Sequence, residues 1–111
     1  MMRRKIAAVI TDVLGDRVVI GEEELQVHLE KHFISFPRDM ILELIERILK
    51  DPSVIYEEVD THTYHLFYRL ETGRFVVVVV KKREEGAYFS AIYSVGKNIR
   101  NKHKKLKKVK L

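Results

Sequence analysis

Cysteine is absent from the 111 residues, which excludes a disulfide framework, a thiolate metal site and a cysteine nucleophile. Chemistry must come from His, Ser, Tyr, Lys, Arg or carboxylates. Long apolar runs are missing too. No stretch approaches the roughly 18 residues of a membrane span. The Met1-Met2-Arg3-Arg4-Lys5 start leads into charge-interrupted sequence rather than a signal-peptide core. A cytoplasmic protein with no membrane role is the expectation. Length is a further limit, since 111 residues suit one compact domain of the usual roughly 100–150 and not two. An apolar fraction of 46% supplies a core. A charged fraction of 33%, above the roughly 25% average, keeps the chain soluble.

Acids are absent from the last fifteen residues. Lys97, Arg100, Lys102, Lys104, Lys105, Lys107, Lys108 and Lys110 give eight cations there. Residues 1–96 then hold thirteen cations against sixteen acids, so a mildly acidic body carries a strongly basic end. Such a run reads as an arm for a nucleic-acid backbone, because each cation near a phosphate releases a condensed counterion. The plain alternative is a solvated terminus. On either reading the sequence divides into a single domain over 1–96 and a basic tail over 97–111, and removing the tail should leave the thermal midpoint nearly unchanged.

Ile6, Val9, Ile10, Val13 and Leu14 fall at i, i+3, i+4, i+7 and i+8, which predicts a first helix ended by Gly15, with β-branched content leaving a strand open. Arg17 to Ile20 is a short β-branched run, and Glu22–Glu24 put negative charge where a second helix, about Glu23 to Phe33, should begin. Pro37 sits just inside a third helix. Met40, Ile41, Leu44, Ile45, Ile48 and Leu49 repeat at helical spacing until Asp51-Pro52 stops it. After Pro52 the period becomes strand-like, with Val54–Val59, Tyr64–Leu70, Arg74–Lys82 and Ala87–Val95 separated by Gly-containing turns, so the last three should form an antiparallel meander. Phe75 to Val80 is apolar without interruption and marks a central strand covered on both faces. Helices first and sheet second predict an α+β fold with N-terminal helices on one face of a small antiparallel sheet.

His28 and His32 lie four apart, one above the other on a helix, on a face shared with Leu25, Leu29 and Phe33. Three readings stand: histidines filling a half-buried seam, two ligands of a zinc site that lacks its third, and an acid/base pair, because histidine takes and returns protons near neutral pH. On the strands, Tyr64, Leu66, Tyr68 and Leu70 alternate with His65, Phe67 and Arg69. Tyr88, Ser90, Ile92 and Ser94 alternate with Ala87, Phe89, Ala91 and Tyr93. Hydroxyls and guanidinium groups thus stand where a purely structural sheet prefers apolar residues. Lys81 and Lys82 close the valine strand in a turn that is ordinarily only solvated charge.

The order of these features resembles a known group. A strand and helix bearing His-x-x-x-His (Val18–His32), a helix closing on Asp51-Pro52, Ile55-Tyr56, and a last strand with Ser90 and Tyr93 are similar to the phage and mobile-element nucleases grouped with barnase, EndoU, colicin and RelE-type toxins. The resemblance covers Val18 to Ser94. It implies helices on one sheet face and metal-free RNA cleavage on the other, carried here by His28, His32, Ser90 and Tyr93. Ser90 stands where the group often has Thr. Arg69, Lys81 and Lys97 are the candidate cations. Metal-free cleavage needs a base for the 2′-OH, an acid for the leaving 5′-oxygen and a donor for the phosphorane. Tyr68 and Tyr93 would stack unpaired bases, and Lys81 with the cations of 97–111 would hold the backbone.

The expectation is therefore a ribonuclease with no cofactor and no metal, acting on RNA, of toxin type with an acidic antitoxin or immunity protein as partner. The alternative is a noncatalytic nucleic-acid-binding module that works through the basic tail. A third is a protein-binding partner whose basic end only aids solubility.

Overall fold

The computed structural model describes residues 5–96 and 106–111. Two strands, β1 (Ile6–Thr11) and β2 (Arg17–Gly21), precede two helices, α1 (Glu22–His32) and α2 (Arg38–Lys50). Strands β3 (Val54–Glu58), β4 (Thr63–Arg69), β5 (Phe75–Arg83) and β6 (Gly86–Val95) follow, and β7 (Lys107–Val109) closes the chain. The seven strands form one sheet in the order β1-β2-β6-β5-β4-β3-β7. The class is α+β. The sheet, however, is larger than the small meander expected, and it is mixed, because β2 runs parallel to β6 through Val18↔Ala87 and Val19↔Tyr88. The helices lie between β2 and β3 rather than at the N-terminus.

The predicted first helix is strand β1. Its apolar residues fit a 3.6-residue period, but backbone pairing decides against that period: β1 pairs antiparallel with β2, and it meets the core through buried Ile10 and half-buried Ala7 and Ala8. Gly15 serves the hairpin between them instead of a helix end, at φ +92. Asp12 shapes the same turn by accepting the Leu14 and Asp16 amides on Oδ1, each at 3.0 Å.

Helix α2 follows its sequence pattern. Ile41, Ile45, Ile48 and Leu49 form its buried stripe, Pro37 is the residue before its first turn, and the Asp51 amide closes the last turn on the Arg47 carbonyl at 2.8 Å. Strand β5 holds the middle place, and Val76 to Val80 are all buried, as the unbroken run implied. Val76, Val78 and Val80 join the helices in the larger core. Val77 and Val79 join Phe67 and Val95 in a second cluster built from strands, where Tyr56 and Phe75 meet the Phe67 ring edge-on.

The basic C-terminal stretch does not lie wholly outside the sheet. β7 pairs antiparallel with the outer edge of β3, with Lys107 opposite Glu57, Lys108 opposite Tyr56 and Val109 opposite Ile55. Val109 also packs on the larger core. Lys97, Arg100, Lys102, Lys104 and Lys105 fall outside the described residues. Deleting residues 106–111 should therefore cost about 1 kcal/mol of packing and cross-strand pairing, seen in calorimetry as a midpoint several degrees lower. An unchanged midpoint would show that β7 contributes nothing to the fold.

Candidate functional site

Helix α1 begins directly from β2 at Gly21, and Glu22, Glu23 and Glu24 in its first turn complement the positive end of its dipole. Leu25 and Leu29 bury one stripe, and the helix packs mainly on β6. Residues 24, 28 and 32 follow one another at four-residue spacing, so Glu24, His28 and His32 share a face. The two imidazoles stack with centroids 5.9 Å apart and planes 12° from parallel. His28 meets the Phe89 ring edge-on at 6.1 Å. Burial pulls its pKa below the ordinary histidine value, and the neighbouring His32 and Lys31 add to this, while the Ser90 backbone beside the ring works the other way. Its Nδ1 is buried without a hydrogen-bond partner. His32 is exposed.

Ser90 occupies a break in the sheet. The β5–β6 register runs Val80↔Phe89 and then Val79↔Ala91, so Ser90 is the extra residue of a bulge. The bulge also shifts the face pattern. Ala87 and Phe89 join the helix-side core before it and Ile92 after it, while Ala91, Tyr93 and Val95 belong to the opposite cluster. The strict alternation expected for this strand thus fails at Ser90.

Beside the bulge lies a cavity of about 560 Å³. Lys81 and Arg83 of β5 and Tyr88, Phe89 and Ser90 of β6 form its walls, with Glu24 reaching in from α1 and Glu85 from the β5–β6 turn. Arg83 is anchored by donating Nη1 to the Thr61 carbonyl at 2.6 Å. Between the two cations, Lys82 turns to the other side of the strand. There its Nζ lies 3.0 Å from Asp12 and 2.6 Å from Asp16, and 4.6 Å from the centre of the Tyr64 ring. Burial works against its charge, but Asp16 and Asp12 outweigh it and hold the Lys82 pKa above normal. This clamp ties the β1–β2 turn to the end of β5 and leaves the cavity side of that strand to Lys81 and Arg83.

The structure thus brings His28, His32, Ser90 and Lys81 to one end of the sheet. It does not bring Arg69 there: Arg69 pairs with Phe75, six residues along β5 from Lys81 or roughly 20 Å away. Its amide donates to the Ser53 hydroxyl oxygen at 3.0 Å. Tyr93 pairs with Val77, roughly 13 Å along from Lys81, on the strand-built cluster, where burial and then Glu58 raise its phenol pKa. Tyr68 packs on the helix-side core, and its hydroxyl engages Arg47 of α2. Lys107 and Lys108 lie at the far sheet edge, four strands from β6. Glu24, Arg83, Glu85, Tyr88 and Phe89 complete the cavity and were missed as site residues. Glu24 was legible as the residue one turn before His28. Among the described residues no group of three or more His, Asp or Glu is arranged to hold a metal ion, and no helix is long and apolar enough to cross a membrane.

A helix-backed sheet with an open cavity lined by a hydroxyl and two cations, and paired imidazoles next to it across Phe89, has the make-up of a nuclease of the barnase-EndoU-colicin-RelE type. The family model for the phage-Barnase-EndoU-ColicinE5/D-RelE like nuclease 2 matches residues 2–110, and the chain belongs to that family. Its substrate is accordingly nucleic acid. Neither the curated proteins nor the solved structures yielded a match.

Proposed function

We propose that the chain is a metal-independent ribonuclease that cleaves RNA by attack of the 2′-OH on the adjacent phosphate. The observation that carries this reading is His28, held between the Ser90 bulge and Phe89 with its pKa lowered by burial. A neutral imidazole at working pH is ready to accept the 2′-OH proton. His32, stacked on it at 5.9 Å, returns a proton to the leaving 5′-oxygen. Lys81 and Arg83 bind the phosphate from the cavity wall, and the Ser90 hydroxyl donates to the charge that builds on the phosphorane. The cations of 97–111 add sequence-independent affinity for the backbone. The excess of cations over residues 97–111 suits an acidic antitoxin or immunity protein as an inhibitor.

The reading requires the nucleophile to be on the substrate. A single-stranded oligonucleotide with one ribose should be cut only after that ribose, and its all-deoxy counterpart should survive. Cleavage of both at similar rates would exclude the 2′-OH mechanism and leave a nuclease that activates water.

A further inference from the structure

A second cavity of about 160 Å³ adjoins the first and shares Glu24, Tyr88 and Phe89 with it. Its character differs. Ile6 of β1, Val19 of β2, Tyr88 and Phe89 make it mainly apolar, with Lys5 and the Gly21 backbone at its rim. A cavity of about 150 Å³ with apolar walls accepts a benzene-sized ring, so this one suits a single planar heterocycle and not a base pair. Aromatic walls favour such a ring because every base presents a π-face for stacking. Glu24 is the charged group common to both cavities. Its carboxylate lies so close over Gly21 that a Cβ there would collide with it, so the missing side chain at Gly21 is what seats Glu24 at the junction.

From this continuity we infer that the smaller cavity is a nucleobase slot, which holds the unpaired base 5′ of the scissile phosphate and reads its amino group through Glu24. Phe89 fixes the side of the phosphate, since it lines the slot and also contacts His28, the group facing the 2′-OH of that same nucleotide. A carboxylate only accepts hydrogen bonds. Adenine, cytosine and guanine each offer it an amino group. Uracil offers one N–H between two carbonyl oxygens, which repel the charge. The slot therefore discriminates against uridine.

This inference rests on the ribonuclease reading for its substrate, and binding separates the two. The probes are fluorescent dinucleotides with a 2′-deoxyribose at the 5′ position, which this chemistry does not cut, carrying each of the four bases there (uracil included). Wild-type protein should bind the uracil probe about tenfold more weakly than the other three, the scale of one hydrogen bond to a charged group. Glu24→Gln supplies a donor as well as an acceptor and should shrink the gap to about threefold or less. Gly21→Ala should do the same by displacing the carboxylate. Gly21 has φ −78, which alanine adopts without strain, and circular dichroism will register an intact fold. Equal binding of all four bases by the wild type, or a preference that survives both substitutions, would overturn the slot. A preference lost in both variants while the wild type cuts no RNA would keep the slot and remove the cleavage reading.

Discussion

His28→Ala should lower RNA cleavage by roughly 10²–10⁴-fold, the usual contribution of a positioned acid or base. The loss follows from where the ring stands. His28 is half-buried against Phe89 and the Ser90 bulge, so no exposed side chain can take over its place, and water in the vacated space is a far weaker base. Because burial lowers its pKa, the wild-type rate should fall on the acid side only below the pH at which a solvated histidine protonates. That acid limb should vanish in the variant. His32→Ala should lower the rate as well, since the leaving oxygen then lacks its proton donor. The ring is only partly enclosed and makes no hydrogen bond through Nδ1, so the His28→Ala protein should fold. Steady-state rates across pH for both variants check this. Wild-type rates in either variant would return the pair to a structural seam, and the binding-module reading would take its place.

Val78→Asp should unfold the domain. Val78 is completely buried in the central strand, flanked by Leu66 on β4 and Ile92 on β6, both of which are also buried. A carboxylate there has no cation within the core and must either stay charged in an apolar setting or take up a proton. Either course costs several kcal/mol, a large part of the roughly 5–15 kcal/mol that holds such a domain together. Chemical denaturation with circular dichroism would register the loss. A cooperative transition at the wild-type midpoint would mean that the helix-side face of β5 is open to solvent.

The elements that were legible are those whose local period and tertiary fate agree. Helix α2 carries its stripe from Ile41 to Leu49 between Pro37 and Asp51, and every sequence signal points the same way. The Phe75–Val80 run reads as central because only a strand between two covered faces has use for five consecutive valines. β1 was misread for the opposite reason: Ile6 to Leu14 satisfies a helical period, and only its pairing with β2 makes it a strand. β7 was not legible at all. Lys107, Lys108 and Lys110 read as part of a basic arm for nucleic acid, and nothing local announces that Glu57 stands across from Lys107.

The site divides in the same way. His28 and His32 could be paired from spacing alone, since a helix fixes which residues share a face. Strand residues cannot be placed so, because register and bulges are tertiary. One extra residue at Ser90 sends Tyr93 to the opposite face from Phe89, and six residues of strand separate Arg69 from Lys81. Arg83 and Tyr88 became visible as site residues only once β5 and β6 were in register.

The most direct test of the cleavage chemistry is the new end of the RNA. Purified protein and the single-ribose oligonucleotide, incubated in excess chelator, should yield a fragment ending in a 2′,3′-cyclic phosphate, at a rate equal to that without chelator. A cut that stops in chelator and returns with added metal, or one that leaves a plain 3′-hydroxyl, would contradict the two-histidine mechanism.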